Sequence, residues 1–115
     1  MKTVQLEIKR FDDVIGDVAA ALAEDKSLPS RISFDNVEAL WKILSPKKME
    51  LLQAMAGQGY LSIREIARRV KRDVSAVHRD IKALAAAGLV ERNSERQACF
   101  PYDEIHVDFV LHGAA

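Results

Sequence analysis

The sequence predicts an α+β fold, mainly helical with a small β-sheet. Apolar residues recur at helical spacing in several segments between residues 11 and 87, and short runs alternate with period two near both ends and at 89–100. A chain of 115 residues suits one domain, and 49% hydrophobic with 30% charged residues is the balance of a globular protein rather than a disordered one.

Residues 3–9 place Val4, Leu6 and Ile8 on one side and Gln5, Glu7 and Lys9 on the other, the pattern of a half-buried strand. Phe11, Val14, Ile15, Val18 and Leu22 then fall on one helical stripe ending near Asp25. The run 26–33, with Pro29, reads as a linker, and a boundary is expected near Phe34. Asp35 is the expected N-cap of a short helix to Leu44, with Val37, Leu40, Trp41 and Leu44 on its apolar face and Trp41 packed in the core.

Ser45 and Pro46 supply the cap and first position of a second helix, because proline's missing N–H would be unpaired there anyway. Leu51, Leu52 and Met55 form its buried side, and residues 57–59, with two glycines, end it. Ser62 followed by Glu65 is a capping box opening a helix at 63–70, with Ile63, Ile66, Ala67 and Val70 inward. Asp73 caps a longer helix over 73–87, with Val74, Val77, Ile81 and Leu84 on one face and Gly88 as the stop. Residues 89–92 and 97–100 are strand candidates around a polar tip at 93–96, and the alternation of Ile105, Val107, Phe109 and Leu111 predicts a last strand.

Two helices joined by a short turn and followed by a hairpin give the order of a winged helix-turn-helix at 34–100. The segments 1–33, a strand and helix expected to serve dimerisation, and 101–115, a strand, are N- and C-terminal extensions of it.

Formal net charge is zero, so attraction to a polyanion would have to come from the distribution of charge. Residues 60–92 hold eight basic and four acidic side chains, whereas 93–115 hold one and four. With Val77 and Leu84 toward the core, Ser75, Arg79, Lys82 and Ala86 point outward on the 73–87 helix, flanked by Ala76 and His78. Small residues that let the backbone approach, beside a long donor such as Arg79 that reaches guanine acceptors, suit a helix entering the major groove of double-stranded DNA. Arg79 is the expected base reader. Ser62, Arg64, Arg68, Arg69, Lys71 and Arg72 occupy the preceding helix and turn, where phosphate contacts position a recognition helix. Arg92 and Arg96 bracket the proposed wing.

The segment SIREIARRVKRDVSAVHRDIKALAAAGLVE from Ser62 resembles the helix-turn-helix and first wing strand of the MarR and ArsR groups of prokaryotic regulators. SFDNVEALWKILSPKKMELLQAM from Ser33, RDVSAVHRDI from Arg72 and Pro101 resemble a narrower group of small predicted regulators typified by a haloarchaeal predicted DNA-binding protein. The resemblance implies a transcription factor, in some genomes an antitoxin with a toxin as protein partner. Turns of this kind often carry a glycine where this chain has Lys71; a left-handed backbone there would cost up to ~1 kcal/mol.

Other functions find less in the sequence. Metal sensing would draw on His78, Cys99, His106, Asp108 and His112, of which only His106 and Asp108 share a strand face. Cys99, the single cysteine, allows no intrachain disulfide, and nothing near it in sequence would activate its thiol. No cofactor-binding or catalytic motif is present, so neither an enzyme nor a cofactor is expected. The strongest rival is a winged helix used to bind protein, although such versions expose apolar residues where this chain has Arg79 and Lys82. RNA binding would call for stacking aromatics, which the basic segment lacks. The absence of a signal-peptide core or a long apolar run predicts a cytoplasmic protein without a membrane partner. The apolar faces of the extensions predict a homodimer, with two recognition helices about one DNA turn, ~34 Å, apart.

Overall fold

The structure, a computed structural model, describes residues 2–8 and 30–110. The expected helix between Phe11 and Leu22, together with Leu111 and His112, lies outside the described residues. In chain order the elements are β1 (Thr3–Ile8), β2 (Ser30–Phe34), α1 (Val37–Ile43), α2 (Pro46–Met55), β3 (Leu61–Ser62), α3 (Ile63–Val70), α4 (Val74–Ala86), β4 (Glu91–Arg92), β5 (Gln97–Cys99) and β6 (Glu104–Asp108). The fold is α+β. The described residues form two small sheets, with the orders β2-β1-β6 and β3-β5-β4.

Strand β1 lies between two parallel neighbours, with Leu6 opposite Ile32 on β2 and Val107 on β6. Val4 and Leu6 are fully buried, as expected from their alternation. Glu7, expected on a polar face, is buried too, with the Arg31 guanidinium 3.9 Å away. A central parallel strand is commonly covered on both faces, and here the two-residue period marks two buried sides instead of one.

The linker expected at 26–33 is corrected in its second half: residues 30–33 belong to β2, and 26–29 lie outside the described residues. Ile32 and Phe34 are half-buried while Arg31 and Ser33 are exposed. Pairing with β1 decides the conformation of a stretch whose serines suggest a turn. The cap of α1 moves by one residue: Asn36, not Asp35, accepts the Ala39 N–H at 2.8 Å. Leu40 and Leu44 are buried, but Trp41 is 48% exposed and meets Phe109 edge-on, at 5.9 Å between ring centroids. The seven-residue helix has a narrow buried stripe, and Trp41 sits on its margin.

Ser45 and Pro46 open α2 as expected, with the Ser45 hydroxyl accepting the Lys48 N–H at 3.4 Å. Leu51, Leu52 and Met55 are buried, whereas Met49 is exposed. Ser62 ends β3 and caps α3, accepting the Glu65 N–H at 3.0 Å. The expected return contact from the Glu65 side chain gives way to bonds with Arg68 and Arg69.

Helix α3 ends in a left-handed residue, Lys71, at φ 56° and ψ 50°. The Arg72 N–H closes back on the Ala67 carbonyl at 3.0 Å and the Lys71 N–H on Arg68 at 3.3 Å. Asp73 then caps α4 by accepting the N–H groups of Ser75 and Ala76. Val77, Ile81 and Leu84 are fully buried, but Val74, expected on the same face, is exposed in the first turn. At the far end Gly88, at φ 90°, repeats the closure, with the Leu89 N–H on Leu84 and the Gly88 N–H on Ala85.

The second sheet is antiparallel, and its hairpin of β4 and β5 follows α4 directly. Asn93 holds the tip by accepting the N–H groups of Glu95 and Gln97, and Arg96 adopts φ 63°. Strand β3, only two residues long, adds to the other edge of β5 and so ties the start of α3 to the hairpin.

A methyl group on Gly88 would meet the Ile32 side chain at an ordinary 3.7 Å, leaving the backbone as the whole cost of substitution. Gly88→Ala is expected to lower stability by about 1 kcal/mol, and Lys71→Gly to raise it by up to ~1 kcal/mol, as read from urea denaturation midpoints.

Candidate nucleic-acid interface

Helices α3 and α4 and the three residues between them carry the positive charge noted in the sequence, and the backbone closures on either side of Lys71 fix how they meet. On α4, Ser75, His78, Arg79 and Lys82 are exposed and Ala76 is half-buried. On α3, Arg64 and Arg68 are exposed. Among the described residues, Arg64, Lys71, Arg79 and Lys82 form no ion pair or side-chain hydrogen bond, so their charges are uncompensated.

The other cations are engaged. Arg68 and Arg69 both hold the Glu65 carboxylate, with Arg68 Nε at 2.9 Å and Arg69 Nε at 3.0 Å; Arg69 also donates to Gln58 at 2.9 Å. Hydrogen bonds from Arg68 first and Arg69 second pull the Glu65 carboxyl down to about 2. The same pairing pushes Arg68 upward. This cluster is exposed, so a polyanion could replace Glu65 as partner of the two guanidinium groups at little cost in desolvation.

Arg72 differs from the rest of the basic set. Its Nη2 donates to Asp80 on α4 at 2.8 Å, its side chain is 16% exposed, and its Nη1 is buried without a partner. The side chain is therefore turned into the joint between turn and helix. At the hairpin, Arg92 donates through Nε to the Gln97 carbonyl at 3.2 Å and through Nη2 to the Arg96 carbonyl at 3.1 Å, bracing the tip, while Arg96 is exposed. The Ser62 hydroxyl is occupied as a cap.

Two further features escaped the sequence reading. The first turn of α2 approaches α4 to form a cleft of about 530 Å³ lined by Ser45, Lys47, Arg72, Ala76, Arg79 and Asp80. Lys47 and Arg79 are 32 positions apart, and only the packing of α2 beside α4 brings them to one cleft. The second is an apolar groove of about 290 Å³ between α2 and β6, lined by Leu44, Met49, Leu52, Ile105 and Val107 among others. Trp41 and Val110 add exposed apolar surface.

His106 and Asp108 are exposed on β6, and among the described residues no group of three or more His, Cys, Asp or Glu is placed to hold a metal ion. Burial first, and Glu91 second, push the Cys99 thiol upward, away from the thiolate. Among the described residues no helix is long and apolar enough to cross a membrane.

A family model for HVO_A0114 matches residues 43–107, more than half of the chain. The chain belongs to the HVO_A0114 family. This agrees with the haloarchaeal group that the sequence resembles. The span matched by the HVO_A0114 model runs from the last residue of α1 almost to the end of β6, and takes in the basic helices, the hairpin and the cleft. No curated protein and no solved structure matches the chain.

With a folded value near 2 against 4.5 for a free carboxyl, Glu65 contributes stability that is fully present above pH ~4.5 and is lost as pH falls through about 2. Carboxyl-carbon NMR should find Glu65 titrating near 2 in the parent chain. Replacing Arg68 and Arg69 together by Ala should return it toward the ordinary carboxylate range.

Proposed function

We propose that this HVO_A0114 protein is a winged helix-turn-helix regulator that binds double-stranded DNA through α4 in the major groove. The observation that carries the reading is the uncompensated charge of Arg79 and Lys82 on the exposed face of α4, beside Ser75 and His78, while the helix's one internal acid, Asp80, is turned to Arg72. Small and basic residues on one exposed helical face suit groove insertion and its salt-dependent affinity. The order α3, turn, α4 and hairpin supports the winged-helix assignment, with Arg64, Arg68 and Arg69 supplying phosphate contacts and Arg96 at the wing.

Regulation of its own gene as a repressor follows as the economical role for a chain with no catalytic motif. A homodimer is part of the same reading. Among the described residues strand β6 pairs with β1 alone, and Val107 and Val110 beside its other edge are exposed. A two-fold axis there would cover that edge and match a palindromic operator.

One observation favours a second reading, an interaction module or antitoxin that acts through a protein partner. Trp41, Met49, Val107 and Val110 are exposed, and the groove between α2 and β6 is mostly apolar.

Fluorescence anisotropy on the chain's own upstream DNA and on a scrambled duplex, at several salt concentrations, tests the DNA reading. Tight binding to the upstream duplex with a steep salt slope is expected, and absence of binding to either at low salt would transfer the case to the protein-partner reading. In sedimentation velocity the parent chain should run as a dimer and Val107→Glu as a monomer; an unchanged sedimentation coefficient would remove β6 from the interface.

A further inference from the structure

We infer that the cleft between α2 and α4 is a phosphate site, filled by a backbone phosphodiester when DNA is bound, with Lys47 and Arg79 as its ligands. The inference rests on the DNA reading for its occupant, and on the geometry of the cleft for its chemistry.

Four charged side chains line the cleft: Lys47, Arg72, Arg79 and Asp80. Arg72 and Asp80 neutralise each other at 2.8 Å. The two remaining charges are both positive, and among the described residues no acid pairs with either of them. Lys48, the next residue along α2, donates its Nζ to the Lys42 carbonyl at 2.9 Å, so of these two lysines Lys47 is the one that lines the cleft. The Ser45 hydroxyl, occupied by the Lys48 N–H, completes the polar wall, and Ala76 forms a small one. A space of about 530 Å³ with two like charges and no internal counterion is built for an anion from outside, and it is roomy enough for a phosphate with its attached sugar.

The position of the cleft specifies which phosphate. At 100° per residue, Ala76, Arg79 and Asp80 lie on the side of α4 that turns toward α2, whereas His78 and Lys82 lean the other way. A helix seated in a groove about 12 Å wide has base edges before its outermost face and the strand backbone along its flank. Arg79 stands on that flank. The sequence gives Arg79 the base-reading role; the cleft makes it a phosphate ligand shared with Lys47, and leaves base edges to Ser75, His78 and Lys82. The phosphate then fixes how far α4 rotates in the groove, while Arg72 and Asp80 form the rigid wall behind it.

Two arms test the site. In the first, Lys47→Ala and Arg79→Ala are titrated on the upstream and scrambled duplexes at several salt concentrations. Each should weaken both duplexes by the same factor and reduce the slope of log K against log salt by about one. If Lys47→Ala leaves affinity and slope unchanged, or Arg79→Ala relaxes a single base-pair position at constant slope, the site is overturned while the DNA reading stands. In the second, inorganic phosphate is added to the isotopically labelled full chain without DNA. Chemical shifts at Lys47, Ala76 and Arg79 should move in the parent chain and stay fixed in Lys47→Ala; no movement in the parent chain overturns the site. If the parent chain binds no duplex, the DNA reading fails, and this second arm still decides whether the cleft holds phosphate.

Discussion

The ion pair between Arg72 and Asp80 joins the turn to α4, and the proposed interface depends on it. Arg72 is the residue at which α3 has closed back on itself, since its N–H caps the Ala67 carbonyl while its guanidinium reaches forward to Asp80. Backbone and side chain of one residue thus tie the end of one helix to the middle of the next. Both partners are largely removed from water, so loss of either would strand a charge in a poorly solvated place. The pair also withdraws the internal acid of α4 from the exposed face. What remains outside is positive, although the chain as a whole carries no net charge.

Much of this was legible in the sequence because it is local. Ser45, Ser62 and Asp73 cap the helices they precede, and Gly88 ends α4 through its left-handed backbone; each effect reaches only a few residues. The inward sets Leu51, Leu52 and Met55, or Val77, Ile81 and Leu84, follow from helical period alone. The failures are non-local. Strand β2 exists because β1 offers a pairing edge, and Glu7 is buried because β1 is central rather than outermost. Trp41 and Val74 occupy margins of their apolar stripes, where neighbouring elements decide exposure.

The candidate site divides in the same way. That α3 and α4 concentrate basic residues is a count along the chain, and the sequence shows it. Which of those residues remain available is set by partners in space. Arg72 and Asp80 are eight positions apart, two turns of helix and a bend, so no simple periodicity predicts their meeting. Arg92 is drawn into bracing the hairpin by carbonyl groups that exist at that spot only once the tip has formed. Lys47 lay outside the basic segment and carried no signal beyond its place after Ser45 and Pro46.

The central position of β1 bears on the order in which the molecule assembles. Its partners on β6 are about a hundred residues away in the chain, with Thr3 joined to Glu104 by a hydrogen bond across a separation of 101. The helices and hairpin between them pack on one another, with partners far nearer in the chain than a hundred residues. Closing so long a loop costs entropy before it returns any contact, so the helical part is positioned to form first and the parallel sheet last. On the ribosome, β1 must wait with one edge unpaired until β6 has been made. During that interval its fully apolar residues Val4 and Leu6 are open to foreign strands, which gives rapid completion of the chain a value for solubility that the finished fold conceals.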